Sequence, residues 1–384
     1  MSDLPSPSRR LLLLAACTAA GAGIGPAIHA AVTNRDDTQP EGFALKQGVN
    51  LSDWFQLSGK SRVTEMQLEG LKKAGFDHVR LPVDPSHLGW KPEAPAGEPV
   101  FTKLDRLDAA LESFRNAGLR VVLDLHTGRE ANVFLKAYPD QIEQNIIRIW
   151  TFLIDRYKKY SQQEICFELA NEPYRFYPAK QWNRFQGRLI KILREETAKH
   201  WFVVNGVWHP VSSLRSLDIY PDPKIIYGFH YYRPFVVTHQ GATWEPSSAK
   251  LLPYLSNIPY PSELLDLDAV RLKPGADEDY IMSRLSAYKN ENWNLGKLRK
   301  DLTFHADWAR SNKVPIYCTE VGVMIATIDP ESRLRWLSDV TQAMNEHGIG
   351  WAVWDYCTNF GIAQCGNNPT VIEPAVAKAL RLSN

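Results

Sequence analysis

The sequence predicts an α/β fold, a single (β/α)8 TIM barrel, and three observations lead to it. Short apolar runs alternate with amphipathic stretches from residue 43 onward. That alternation implies parallel pairing, and the eight runs are the number that closes a barrel. Polar and ionisable residues recur where the apolar runs stop, as a site on the C-terminal face of a barrel requires. No G-x-G-x-x-G opens the first helix, which counts against the alternative, an open doubly wound sheet.

The strand-like runs are 47–51, 78–82, 119–126, 164–169, 201–204, 225–230, 315–319 and 350–354. Helical periodicity fills 65–74, 104–117, 142–160, 181–198, 298–311 and 333–346, with a last stretch at 373–382. After Val204 the pattern is too irregular for a long helix. Between His230 and about Asn294 runs a long connection rich in Tyr, Pro and Trp. A loop of that length after a strand falls on the catalytic face and is usually functional. With no linker and no second compositional zone, residues 31–384 read as one catalytic domain.

Residues 1–30 read as a cleaved export signal. Arg9 and Arg10 precede an uncharged run that ends in small residues near Ala30. Gly21, Gly23, Gly25 and Pro26 make that run a poor membrane span. The paired arginines resemble a twin-arginine signal, so a periplasmic or secreted protein is expected. Two alternatives stand beside it, lipid anchoring at Cys17 and an uncleaved anchor.

Composition narrows the function. Lys and Arg number 44 against 43 Asp and Glu, so no basic field exists to hold nucleic acid. Aromatic residues reach 11% of the 384, with 12 Trp, 15 Tyr and 15 Phe, which suits either a large packed core or the binding of sugar faces. Beyond residue 30 the cysteines are Cys166, Cys318, Cys357 and Cys365, without the C-x-x-C spacing of a zinc site. Cys357 and Cys365 could bridge a short loop, while Cys166 and Cys318 sit in apolar runs as buried thiols. No metal or cofactor is expected, and a monomer is.

The run ends carry the chemistry. Strand two ends near Arg80, strand three in Asp124-Leu125-His126, strand four in Asn171-Glu172-Pro173. Strand six gives His230-Tyr231-Tyr232, strand seven Thr319-Glu320, and strand eight Trp354. Glu172 and Glu320 fall at corresponding ends of strands four and seven. Two carboxyls facing each other across a barrel mouth can divide the acid and nucleophile roles that cleave glycosidic bonds. Glu168 shares the side of Glu172 but lies deeper, which favours a structural role. An arginine near one carboxyl lowers it while a second carboxylate raises its neighbour, so such a pair retains one proton.

These residues resemble glycoside hydrolase family 5, the cellulase-type family, over about residues 43–382. Phe167-Glu168-Leu169-Ala170-Asn171-Glu172-Pro173 looks like its acid/base signature. Val79-Arg80-Leu81-Pro82-Val83, Asp124-Leu125-His126, His230-Tyr231-Tyr232, Tyr317-Cys318-Thr319-Glu320 and Trp351-Ala352-Val353-Trp354 match in order. The stretch from Pro234-Phe235 through Thr238-His239-Gln240-Gly241 to Trp244 is similar to a subset of bacterial members. The resemblance implies Glu172 as general acid/base and Glu320 as nucleophile, with Arg80 orienting Glu320 and Asn171 binding the sugar 2-hydroxyl. It implies further that His126, His230 and Tyr232 frame that subsite and Trp354 floors it. Thr127 and Val321 depart from the family's frequent His and Phe, which leaves the choice of glycan open. Trp54, Trp90, Trp208 and Trp244 follow strands and either stack sugar rings or pack in the core.

Other enzyme readings fail on spacing. Gly59-Lys60-Ser61 ends like a phosphate loop, but Trp54 stands where a glycine is needed. Neither G-x-S-x-G nor H-E-x-x-H occurs. The expectation is a retaining endo-acting hydrolase of a β-linked polysaccharide or oligosaccharide, with β-1,4-glucan first. A β-mannan or mixed-linkage β-glucan is the alternative substrate, and an exported barrel that binds glycans without cutting them is the alternative class.

Overall fold

The computed structural model describes residues 44–57, 62–90, 101–127, 141–173, 178–207, 214–245, 248–366 and 368–382. The expected export segment with Cys17 lies outside them, as does Trp208. The strands are β1 (Gln47–Asn50), β2 (His78–Val83), β3 (Arg120–Leu125), β4 (Ile165–Glu168), β5 (Phe202–Asn205), β6 (Ile225–Tyr231), β7 (Ile316–Val321) and β8 (Gly350–Val353). They pair in parallel in chain order, and β8 returns to β1 to close the barrel. Each lies within two residues of its apolar run. Both faces of such a strand are covered, one by helices and one by the barrel interior, so the runs read as continuously apolar.

Helices on the outside start where their capping residues dictate. The helix Glu65–Lys73 opens on a capping box, Thr64 and Gln67 each accepting the other's backbone N–H. Asp329 caps Pro330–Glu346 with proline at its first position, and Asn294 caps Leu295–Asn312. Much of the tryptophan content packs against these helices: Trp150, Trp182, Trp293, Trp336 and Trp351 are fully buried. The Trp150 indole donates to Leu169 O and the Trp182 indole to Asn205 O, both at 2.8 Å. These two bonds fix the exits of β4 and β5 from behind.

Inside the barrel, alternate residues stack in layers. Val122, Cys166, Val203, Ile226, Tyr317 and Ala352 form an apolar layer with Leu45 and Trp201. At the end of the interior beside β1, His78 accepts the space that Gly48 leaves, since a Cβ there would stand 2.1 Å from the His78 Nε2. Toward the mouth the interior turns polar, with Arg80, Asp124 and Glu168 all fully buried.

Two expectations are corrected. The connection after His230 contains a helix, Glu278–Asn290, where the sequence suggested none. Only Ile281, Leu285 and Tyr288 of it are buried, a contact stripe too thin to register as periodicity. Strand β7 also runs on through Val321, so Glu320 lies inside the strand, whereas Glu172 lies four residues past β4. The two glutamates therefore do not occupy corresponding ends. The cause is a bulge: Phe229 pairs with Cys318 but His230 with Glu320, leaving Thr319 as an extra residue.

Candidate active site

One guanidinium organises the barrel mouth. Arg80 donates to both oxygens of Glu168, at 2.7 and 2.8 Å, and to Glu320 Oε1 at 2.8 Å. It also reaches Asp124 Oδ2 at 2.9 Å, Asn171 Oδ1 at 2.8 Å and Asn50 Oδ1 at 3.0 Å. Burial by itself would weaken the Arg80 proton affinity; Asp124, Glu168 and Glu320 overcome it and hold the cation permanently. Glu168, whose role is structural, takes a further bond from Asn205 Nδ2 at 2.6 Å, and its burial pushes its carboxyl up.

A chain of bonds runs from this hub to the cleft. The His126 Nδ1 bonds Asp124 Oδ2 at 2.8 Å, which puts the ring proton on that nitrogen. Its Nε2 is then the acceptor for Asn171 Nδ2 at 3.3 Å, and the Asn171 oxygen faces Arg80. The amide of Asn171 thus has one orientation only.

Glu320 is held as an anion. Burial would push its carboxyl up; His230, Arg80 and His126 beside it, with the Tyr232 hydroxyl donating to Oε2 at 2.9 Å, bring it below the usual carboxylate range. The His230 Nδ1 stands 3.0 Å from Glu172 Oε1 and 3.4 Å from Glu320 Oε2, so one nitrogen spans the two glutamates. Burial disfavours the charged imidazole, but Glu320 and Glu172 outweigh it and raise the His230 pKa. The side chain of Glu172 is 31% exposed against 7% for Glu320. Glu172 also has φ of 39°, in the left-handed region that costs a non-glycine residue energy and recurs at functional positions.

These groups line an open cleft of about 410 Å³ together with Trp354, Trp244, Phe235, His239 and Phe360. The Trp354 ring stacks on His126 at 5.7 Å between centroids. Trp244, 51% exposed, stands on the rim near Phe360 and His239. Trp54 and Trp90 do not reach the cleft. The helical turn Ser52–Phe55 directs Trp54 inward onto Phe55 and Phe114, leaving it 4% exposed, so it is a core residue. After β8 the chain turns through Asp355, which accepts from Ser52 Oγ at 2.5 Å and Thr358 N at 3.0 Å. A disulfide joins Cys357 to Cys365 across this loop, and Cys166 and Cys318 are buried thiols.

The structure adds Asn50 and Asn205 to the polar network and Phe360 to the cleft wall, none of them singled out in the sequence, and it brings Phe235 and His239 of the 234–244 stretch into that wall. Asn50 and Asn205 continue the inward alternation at the ends of their strands. Placing polar residues at strand ends would have found them had amides been weighed with charges.

Comparison with known proteins agrees with this geometry. The profile of the cellulase family, glycosyl hydrolase family 5, matches residues 36–360. Endoglucanase C of Acetivibrio thermocellus is 32% identical over 327 residues, covering 82% of this chain and 91% of that one. A structure of Thermotoga maritima Cel5A in complex with cellobiose superposes with a TM-score of 0.67 at 26% identity, over 88% of this chain and 97% of that one. The same enzyme in complex with mannotriose gives a TM-score of 0.67 at 25% identity with the same coverage. The chain belongs to glycosyl hydrolase family 5, the cellulase family, and is a glycoside hydrolase.

Proposed function

We propose that the protein is an exported, retaining endo-β-1,4-glucanase with Glu320 as nucleophile and Glu172 as general acid/base. One observation carries the assignment: two glutamates meet at a single nitrogen of His230, one buried and charge-stabilised, the other half-open to the cleft. Their nearest oxygens are closer than the sum of those two contacts. That bound favours the short carboxyl separation of retaining hydrolases, about 5–5.5 Å, over the about 6.5–9.5 Å of inverting ones.

With a sugar ring over Trp354, Glu172 protonates the glycosidic oxygen while Glu320 attacks the anomeric carbon. The C–O bond to the leaving sugar breaks and a glycosyl ester forms. Glu172, now ionised, takes a proton from water, and the water oxygen displaces Glu320 with the β configuration restored. General acid and base help of this kind is worth about 10²–10⁴ in rate. Arg80 and Tyr232 keep the attacking carboxylate ionised and aimed, so no reorganisation is needed when it reacts.

The family match and the endoglucanase relative support glucan as substrate; the neighbour that holds mannotriose keeps β-mannan as the second reading. Export rests on Arg9, Arg10 and the uncharged run after them, and a disulfide at Cys357 and Cys365 suits an oxidising compartment. Monomeric action is part of the same reading. Reducing-sugar release and viscosity on β-1,4-glucan, β-mannan and mixed-linkage glucan test it. A rapid fall in viscosity on β-1,4-glucan and a β-configured first product by NMR are expected. Binding without cleavage on all three substrates would make this a glycan-binding barrel instead.

A further inference from the structure

The irregularity at Thr319 brings Glu320 to the cleft, and an irregular strand needs something to hold it. Among the described residues Thr319 has no partner in either ladder: β6 pairs with Cys318 and then Glu320, β8 with Cys318 and then Val321. A bulge leaves peptide groups without ladder partners, and here Cys318, Thr319 and Glu320 are all buried, where an unmade hydrogen bond costs free energy. Side chains meet that need. The Cys318 thiol donates to Glu320 O and the Thr319 hydroxyl to Phe229 O, both at 3.3 Å. The Thr319 carbonyl accepts from Asn50 Nδ2 at 3.0 Å.

Asn50, fully buried at the end of β1, reaches past β8 to make that bond. Its other amide proton is shared between Ala352 O and Val353 O of β8, at 3.4 and 3.3 Å. Its Oδ1 accepts from Arg80 Nη1 at 3.0 Å, and the second proton of that nitrogen goes to Glu320 Oε1 at 2.8 Å. The amide therefore has one orientation. It holds Glu320 from two sides, because the Thr319 carbonyl belongs to the peptide bond that carries Glu320 and Arg80 grips the carboxylate. The Asn50 backbone is fixed in turn, its nitrogen and oxygen flanked by the β2 register with Arg80 and by Tyr356 N, which donates to Asn50 O at 3.0 Å.

We infer that Asn50 is a positioning residue that aims Glu320, tying the bulge at Thr319 to the Arg80 guanidinium through one amide. The inference rests on the retaining reading above, with Glu320 as nucleophile, and deepens it. Asn50 does not line the cleft, so its loss should slow the attack of Glu320 and leave substrate binding in place.

The test isolates that attack. With 2,4-dinitrophenyl 2-deoxy-2-fluoro-β-cellobioside the leaving group needs little help from an acid, so Glu172 matters little. The Glu320 carboxylate displaces dinitrophenolate and an α-linked glycosyl ester forms, which the 2-fluorine protects from hydrolysis. The rate of inactivation then reports the attack. For Asn50→Ala the limiting inactivation rate is expected to fall about 10²-fold, as for a reacting group misplaced by about 1 Å, with the half-saturating concentration within about twofold. Thermal melting is read alongside, and Asn50→Leu, which keeps the volume, repeats the experiment should the alanine chain melt early. A limiting rate within about threefold of wild type overturns the inference alone, as does a loss that comes entirely from weaker saturation. Wild-type protein that takes no label overturns the glucanase reading, and label on a residue other than Glu320 overturns the nucleophile assignment; this inference falls with either.

Discussion

Strands β4 and β7 each deliver one glutamate to the cleft, and they do so by different geometry. β4 is regular: Cys166 and Glu168 face the interior, and Glu172 stands four residues past Glu168, beyond the strand on a turn with positive φ. β7 is irregular: Tyr317 faces the interior, so unbroken alternation would turn Glu320 outward against the helices. The extra residue Thr319 resets the phase and sets Glu320 beside His230. The difference matches two tasks. In the proposed mechanism the acid, which must exchange protons with water, sits on the half-open segment, and the nucleophile, which must stay charged and aimed, sits within the sheet.

The contrast predicts effects of decreasing size. Glu320→Ala should fall to background on every substrate, since it removes the carboxylate that Arg80 and Tyr232 hold. Added azide should then attack directly and give the α-glycosyl azide. Glu172→Ala should lose about 10²–10⁴ on polysaccharide. On an aryl glycoside, whose leaving group needs less help, glycosylation should survive, and azide should give the β-glycosyl azide. Determining the azide anomer from each mutant decides the roles; exchanged anomers would reverse the assignment of the strands.

Arg80 serves both strands, so Arg80→Met should strand Glu168, Asp124 and Glu320 without their cation. The expected cost in a denaturant titration is about 3–5 kcal/mol, as for breaking a buried ion pair from one side. A loss under 1 kcal/mol, on the order of a surface pair, would mean the hub is solvated.

The smallest effect is in pH. The Glu320 carboxyl lies below its ordinary value of 4.5, so the acid limb of kcat/KM should lie below that pH. By the same linkage its ionisation stabilises the fold above the ordinary carboxylate range, and that contribution is lost as pH falls through the lowered folded pKa. Tyr232→Phe removes a donor to the charged form and should move the limb upward by roughly one pH unit. An unmoved limb would assign it to another group.

Much of this was readable from the chain. The eight strands were legible because each is covered on both faces and so is an unbroken apolar run bounded by polar residues. Arg80, His126, Asn171, Glu172, His230, Tyr232 and Trp354 were legible because they sit where such runs end, and the structure gathers them at one mouth. The tryptophans were ambiguous. A ring that follows a strand can turn either way, and Trp54 turns into the core while Trp244 stays on the rim. The helix Glu278–Asn290 was hidden because three buried residues give little periodic signal.

By itself the sequence determined the barrel, its strand order and the residues placed at the mouth, since these follow from local periodicity and from where polarity begins. Only the tertiary structure decided which of them touch. The bulge at Thr319 is a mismatch between β7 and its neighbours, a property of pairing that no single strand carries. The sharing of one guanidinium among Glu168, Asp124 and Glu320 depends on strands far apart in sequence closing around Arg80. The Thr238 hydroxyl bonds the Tyr232 carbonyl and meets the His239 ring, contacts that exist only once the loop has folded.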